Sequence, residues 1–269
     1  MSADRVSLEE IAGIVRSAGR AVMEVYGRAF GVEAKGDGSP VTEADTRSEE
    51  IILRGLERLA PGVPIVSEEA AAAAAECHGS LSRPEGNGAH HKSFWLVDPL
   101  DGTKEFVSRN GEFTINVALV SDGLPVLGVV LAPALERLFA AASETGAVME
   151  DADGRRPVCA RIQPAEGVTV VSSRSHGDAD ALARFTAGRR IAASIVAGSS
   201  LKFCLLAAGQ ADLYPRFGRT MEWDTAAGDA ILRAAGGRVT DLDGRDLQYG
   251  KPGFENPHFV AWGRGGAGG

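Results

Sequence analysis

The sequence is short of cysteine, with three residues, and short of positive charge, with 28 Lys and Arg against 36 Asp and Glu in 269 residues. Cys77, Cys159 and Cys204 are odd in number and far apart. That excludes a disulfide framework and suits a reducing, cytoplasmic setting. The formal charge of −8 argues against DNA, RNA or an anionic membrane surface as the main partner. The opening residues MSADRVSLEE carry neither the cationic nor the apolar segment of a signal peptide. No uninterrupted apolar run reaches the roughly 18 residues that a membrane span needs, so no integral membrane segment is expected. There is no G-x-x-x-x-G-K-[ST] phosphate loop and no internal repeat. Cys77, His78, His90 and His91 lack finger-like spacing, so a solvated insertion is read there in preference to zinc.

What is present reads as an ordinary globular chain, 44% hydrophobic and 24% charged, long enough for one or two domains. Ser7-Leu8-Glu9-Glu10 is a capping box. Behind it Leu8, Ile11, Val15, Ala18, Val22 and Val25 recur at helical spacing as far as Gly27. A second helix is expected after Thr42, with Ile51, Ile52, Leu56 and Leu59 inward and Pro61-Gly62 as its stop. Val63 to Ser67 is a short strand. Residues 70 to 92, with six consecutive alanines, read as a surface insertion that is partly helical.

From Phe94 the pattern changes. Phe94-Trp95-Leu96-Val97 is a continuous apolar strand, buried on both faces. Strands are expected at 113–120, 126–131 and 138–142, a polar linker at 151–157, and further strands at 168–172, 191–196 and 211–214. Helices around 179–187, 201–208 and 225–235 alternate with these last strands. The order implies sheet-and-helix layers meeting at a cleft. The tail from Gly263 to Gly269 is expected to be disordered. Its G-x-G-x-x-G spelling at Gly263, Gly265 and Gly268 fails as a dinucleotide motif because no helix follows it.

The densest chemical signal is Asp98-Pro99-Leu100-Asp101-Gly102-Thr103, directly after the buried strand. A strand that ends in Asp and turns at Pro presents two carboxylates at a sheet edge, where α/β sites usually lie. Gly102 and Thr103 are expected to open a helix whose free N–H groups suit a phosphate. Ligands of oxygen alone select a hard cation such as Mg²⁺. Taken alone, the motif reads equally as an Asx turn with a helix cap. Three further acidic sites add to it. Val41-Thr42-Glu43-Ala44-Asp45 lies at a helix start, Val66-Ser67-Glu68-Glu69 at a strand end, and Glu222-Trp223-Asp224-Thr225 before a helix. Each alone has a plain reading as a cap or a solvated end.

Together, in this order, these segments resemble the lithium-sensitive, Mg²⁺-dependent phosphomonoesterases of the inositol monophosphatase superfamily. The resemblance runs from Val41-Thr42 and Asp45 to Trp223-Asp224-Thr225-Ala226-Ala227. Lys104-Glu105-Phe106 stands where inositol monophosphatases more often carry Thr-Asn-Phe. With Gly111-Glu112-Phe113-Thr114, Ser172-Ser173-Arg174-Ser175-His176, Gly198-Ser199-Ser200-Leu201-Lys202-Phe203 and Leu213-Tyr214-Pro215-Arg216-Phe217-Gly218, it is similar to the bacterial 3'(2'),5'-bisphosphate nucleotidase branch of the CysQ type. The principal departure is the stretch from Ala70 to Lys92.

The resemblance implies an α/β (α+β layered) fold, an alternating αβαβα sandwich. An N-terminal α+β subdomain (1–150) would carry most metal ligands, and a C-terminal α/β subdomain (151–269) would carry Asp224 and the nucleotide-side residues. It implies hydrolysis of 3'-phosphoadenosine 5'-phosphate to AMP and phosphate, in sulfur assimilation or nucleotide recycling. The cofactor implied is Mg²⁺, two or three ions. Glu68, Asp98 and the Leu100 carbonyl would hold the first; Asp98, Asp101 and Asp224 the second. Asp45 would orient Thr103, activate the attacking water with Glu68, and help to hold a third, weaker metal. Asp101, Gly102, Thr103, Lys104 and Asp224 would meet the substrate, with Lys202 and Arg216 on its second phosphate and His176 and Ser199 beside them. A phosphorylated nucleotide is the expected small-molecule partner. Monomer and homodimer both fit, as does peripheral attachment to the inner face of the inner membrane.

Electrostatics makes the cations necessary to this reading. Like charges at ~4 Å repel by about 4 kcal/mol per pair at an effective dielectric of ~20. Five carboxylates would exclude a phosphate dianion, and two Mg²⁺ ions remove most of that penalty. The rival readings are an inositol-1-phosphate phosphatase, a catalytically silent Mg²⁺- or nucleotide-sensing protein, and a haloacid-dehalogenase-type phosphatase. In the last, nucleophile and acid stand two apart, whereas Asp98 and Asp101 are three apart.

Overall fold

The structure, a computed structural model, describes residues 6–36, 38, 40–78, 93–174 and 178–266. Ser7 caps the first helix, α1 (Leu8–Tyr26), and the reciprocal bond from the Ser7 N–H to the Glu10 carboxylate completes the capping box. The helix ends at Gly27, as its spacing requires. A short hairpin, β1 (Glu33–Ala34) and β2 (Pro40–Val41), leads to α2 (Glu43–Leu59), capped by Thr42 and closed at Ala60. β3 (Ile65–Ser67) runs straight into α3 (Glu68–His78), so the alanines are helical; residues 79–92, with His90 and His91, lie outside the described residues.

A seven-stranded sheet follows in sequence order: β3, β4 (Ser93–Asp101), β5 (Thr114–Ser121), β6 (Leu124–Ala132), β7 (Arg137–Ala142), β8 (Gly146–Asp151) and β9 (Gly154–Val158). Only β3 and β4 pair in parallel. The stretch expected to be a polar linker is instead the β8–β9 hairpin, with Ala152-Asp153 as its two-residue turn and Gly154 at φ 100°. Arg155 and Arg156 made it read as a linker. Both are exposed and paired with Glu9 and Asp151, as side chains of an edge strand are free to be.

The second sheet has five strands in the order β11 (Ile191–Ala197), β10 (Val168–Ser173), β12 (Leu213–Arg216), β14 (Phe259–Trp262), β13 (Arg238–Asp241). The last two were not foreseen. The tail is partly ordered. Gly263 donates to the Asp212 carbonyl at 2.8 Å and Arg264 to the Arg161 carbonyl at 3.0 Å; residues 267–269 lie outside the described residues.

The layers follow from alternation along β4. Trp95 and Val97 face α1 and α2 in one core, with Ile11, Val15, Val22, Ile52 and Leu56. Phe94 and Leu96 point the other way, into a core shared with α6 (Leu201–Ala207), α7 (Ala226–Ala234) and the inner face of the second sheet. A third, smaller cluster joins the outer face of that sheet to α5 (Ala179–Thr186) through Leu182 and Phe185. Helix, sheet, helix, sheet and helix are therefore stacked in that order, the layered α/β arrangement expected. No described helix is long and apolar enough to cross a membrane.

α7 lies so close to β6 that only glycine fits at Gly128. A Cβ there would meet the Ala227 carbonyl oxygen at 2.4 Å and the Ala230 Cβ at 2.8 Å. Gly128→Ala should cost about 2 kcal/mol of stability, because backbone cannot yield as a side chain can. A thermal melt should show the midpoint fall by about 5 °C; an unchanged midpoint would contradict this packing.

Candidate active site

β4 carries the densest motif to the interface between the two sheets and distorts there. Asp98 pairs opposite Asn116 and Asp101 opposite Thr114, so β4 spends one residue more than β5 over this stretch. Pro99, without an N–H, sits inside the irregularity and re-aims the strand. Ser48 of α2 fastens the turn by donating to the Pro99 carbonyl at 2.7 Å. Gly102, at φ 90°, then turns the chain into the five-residue helix α4 (Thr103–Val107). A Cβ on Gly102 would meet the Ser199 hydroxyl at 2.2 Å, so glycine is required twice over. Phe106 anchors α4 among Tyr26, Phe30 and Phe113, at ring distances of 5.1, 4.9 and 5.0 Å.

The carboxylates converge on a cavity of about 830 Å³ lined by Glu68, Asp98, Asp101 and Asp224, with Leu100, Gly102, Thr103 and Lys104. Asp98 is 1% exposed. Burial raises its pKa well above the usual carboxylate range, and Glu68, Asp101 and Asp224 push it further. Asp224 is raised likewise by burial, then by Asp101 and Glu68, although the Met221 N–H donates to it at 2.8 Å. Asp101 is raised less. Lys202 opposes its burial, and Ser200 donates to its Oδ2 at 3.1 Å. Thr114 and Asn116 stand 3.4 Å from the same oxygen.

Asp45 has divided duties. Its Oδ2 accepts from the N–H and hydroxyl of Thr42, each at 2.8 Å, while Oδ1 lies 3.4 Å from the Thr103 hydroxyl. Burial pushes Asp45 up to about 6 against the pull of Thr42.

Glu68 stands against Asp98 and also meets a cation. Lys35, in the loop between β1 and β2, contacts Glu68 at 2.8 Å and Glu69 at 2.6 Å. Burial alone would lower Lys35, but the two glutamates outweigh it and raise its pKa. Among the described residues no three acidic, histidine or cysteine side chains close into a metal cage. The carboxylates share the cavity wall, and Lys35 supplies the cation that Glu68 meets. An all-oxygen donor set, buried and mutually repelling, nevertheless fits a hard divalent cation.

The second sheet contributes positive charge to the same cavity. Lys202, on α6, is 4% exposed and donates to the Ser199 carbonyl at 2.6 Å. Burial pushes it down to about 8, with Asp101 pulling up and Arg216 pressing down. Arg216, at the end of β12, is 7% exposed and donates to the Arg219 carbonyl at 3.0 Å. The Ser199 hydroxyl is turned to the protein, 2.8 Å from the carbonyls of Asp101 and of Glu112. Arg174 grips Glu112 in two bonds of 2.9 Å, and Glu112 accepts from the Gly198 N–H. These pieces of the later motifs therefore act as a clasp between the sheets. His176 lies outside the described residues.

Sequence reasoning did not single out Lys35, Asn116 or Ser200 as site residues. Thr114 and Asn116 gave a signal, since two polar residues at a spacing of two interrupt an apolar strand. Lys35, in a polar loop, gave none.

A profile of the Inositol monophosphatase family matches residues 5–265. The chain is 45% identical over 256 residues to the 3'(2'),5'-bisphosphate nucleotidase CysQ of Escherichia coli K12, covering 94% of this chain and 98% of that protein. It is 47% identical over 258 residues to the enzyme of the same name from Salmonella typhimurium, with the same coverage. Among solved structures, CysQ from Bacteroides thetaiotaomicron superposes with a TM-score of 0.79 at 32% identity, covering 96% of this chain and 97% of that one. The carboxylate-lined cavity thus sits in a chain that belongs to the inositol monophosphatase family.

Proposed function

We propose that this protein is a Mg²⁺-dependent phosphomonoesterase that hydrolyses 3'-phosphoadenosine 5'-phosphate to AMP and phosphate, recycling a nucleotide by-product of sulfate assimilation. One observation carries the reading. The cavity that gathers Glu68, Asp98, Asp101 and Asp224 also holds two buried cations, Lys202 and Arg216, on its far wall. A bisphosphate presents two anionic groups, and this cavity offers two different ways of meeting one. The Escherichia coli and Salmonella typhimurium relatives, both called bisphosphate nucleotidases, support the same substrate class.

Glu68, Asp98 and the Leu100 carbonyl would hold one Mg²⁺, and Asp98, Asp101 and Asp224 a second; Asp45 would help with a third. Mg²⁺ there supplies Lewis-acid activation of water at neutral pH and stabilises the leaving alkoxide. The chain's own residues do the positioning. Asp45, locked by Thr42, orients the Thr103 hydroxyl, and with Glu68 it accepts the proton of the attacking water. The turn at Gly102 and Thr103 brings backbone N–H groups, with Lys104 beside them, to the phosphate that reacts. Lys202 and Arg216 receive the second phosphate, Arg216 through a planar fork and Lys202 as a point charge, with Ser199 fixing the loop before Lys202.

A phosphate-release panel tests the reading. In Mg²⁺, kcat/KM for 3'-phosphoadenosine 5'-phosphate should exceed that for inositol 1-phosphate by about tenfold or more, which is about 1.4 kcal/mol of selective binding. Excess chelator should abolish release. The reverse preference would favour an inositol phosphatase, activity in chelator would remove the metal assignment, and binding without turnover would favour a sensor. Lys202→Ala should raise KM for the bisphosphate by about tenfold and that for 3'-AMP much less; equal effects would dismiss Lys202 from the second phosphate. Asp45→Asn should lower kcat by about a hundredfold with KM little changed, as expected for a group that acts on a proton in flight.

A further inference from the structure

A second cavity, of about 780 Å³, opens on the outer face of the five-stranded sheet, at the other end of its strands. Val168, at the start of β10, lines it, whereas Ser173, at the end of the same strand, lines the active-site cavity. Along β12 the two cavities are reached by Leu213 and Arg216 respectively. α5 covers part of this sheet face, over Val168, Val170, Leu213 and Val260, and leaves the part toward β13 open.

In a chain with a net charge of −8, the lining is markedly basic. Arg161, Arg189, Arg190, Arg238 and Arg264 line the cavity, against the acidic Asp212 and Asp241. Both aspartates are already engaged. Asp212 takes Arg161 in two bonds of 2.8 Å and the Thr169 N–H at 2.7 Å. Asp241 caps its own turn, accepting from the N–H groups of Asp243 and Arg245 at 2.9 Å. Arg238 is held by the Gly244 carbonyl at 2.8 Å and by Asp246. Among the described residues, Arg190 and Arg264 have no ion-pair partner, and Arg189 has no carboxylate. Arg189 bonds the Phe185 carbonyl and lies over two rings, 4.4 Å from the Phe185 centroid and 6.0 Å from that of Trp262.

A cavity of this size, with uncompensated arginines beside an aromatic and guanidinium platform, has the two elements that recognise a phosphate joined to a flat ring. The glycine-rich tail, Gly263 to Gly266, forms part of the wall, and the space beside Gly265 is open. We propose that this cavity binds a nucleoside monophosphate at a site separate from the active site, with Arg190 and Arg264 on the phosphate and Arg189 with Trp262 against the base.

The three tryptophans make the two sites separately observable. Trp95 is buried in the core, Trp223 lines the active-site cavity, and Trp262 lines the second, its indole N–H bonded to the Thr240 hydroxyl at 3.1 Å. In protein labelled with ¹⁵N-tryptophan, and assigned with Trp262→Phe, AMP should shift the Trp262 indole signal saturably. The exposed double variant Arg190→Gln/Arg264→Gln should weaken that response by about tenfold while leaving kcat/KM at the active site unchanged. Inorganic phosphate and adenosine, each alone, should bind more weakly than AMP. The proposal fails if Trp262 does not respond to AMP. It fails equally if the response survives undiminished in the double variant, or if phosphate or adenosine alone binds as well as AMP.

Discussion

Repulsion among buried carboxylates is the constraint on which the rest of this structure depends. Asp98 is buried, Asp101 and Asp224 are half-buried, and all three face one another and Glu68, so ionising each is opposed by loss of water and by its acidic neighbours. Nothing in that group favours its own assembly. The surroundings hold it together with donors aimed at the carboxylates: the Leu100 N–H on Asp98, the Met221 N–H on Asp224, and Ser200 on Asp101. Lys35 pairs with Glu68, and Lys202 faces Asp101. The two large apolar cores on either side of the first sheet supply the stability that such an arrangement consumes.

The sheets divide the electrostatic work. The first sheet and its flanking elements supply Glu68, Asp98 and Asp101, and the second sheet and α6 supply Arg216 and Lys202. Asp224, in the short turn of 3-10 helix before α7, is the exception, a carboxylate that comes from the later half. It comes two residues ahead of the helix that packs on Gly128 of the first sheet, so the tight contact between α7 and β6 also sets the position of the carboxylate.

Much of this was legible in the sequence where the information is local. The capping box at Ser7, the helix after Thr42 and the apolar run at Phe94 each act within a few residues and were found where the pattern placed them, although the cap of the second helix is Thr42, with Asp45 three residues on as its reciprocal partner. The same holds for the turn at Asp98 to Thr103, because its proline, glycine and carboxylates are consecutive. What was not legible depends on partners far apart in the chain. β13 and β14 are four residues each, too short for a period of two to stand out, and they exist because β12 offers β14 an edge. The β8–β9 hairpin carries an Asp-Gly turn signal, which its arginines obscured. Lys35 earns its place only through Glu68 and Glu69, more than thirty residues later. The Ser199 hydroxyl reads as a substrate contact in the motif and is spent instead on two backbone carbonyls.

The bond from Ser200 to Asp101 spans 99 positions, and the one from Ser199 to the Asp101 carbonyl spans 98. Contacts so distant in sequence form after local ones, because the loop between them must first be closed. During synthesis, Asp98 and Asp101 therefore leave the ribosome well before the residues that complete their surroundings. A partly made chain has strands and capped helices and the start of a core, yet it has no assembled carboxylate cluster. The cluster, with its cost in repulsion, comes into being only when the rest of the molecule is present to bear it.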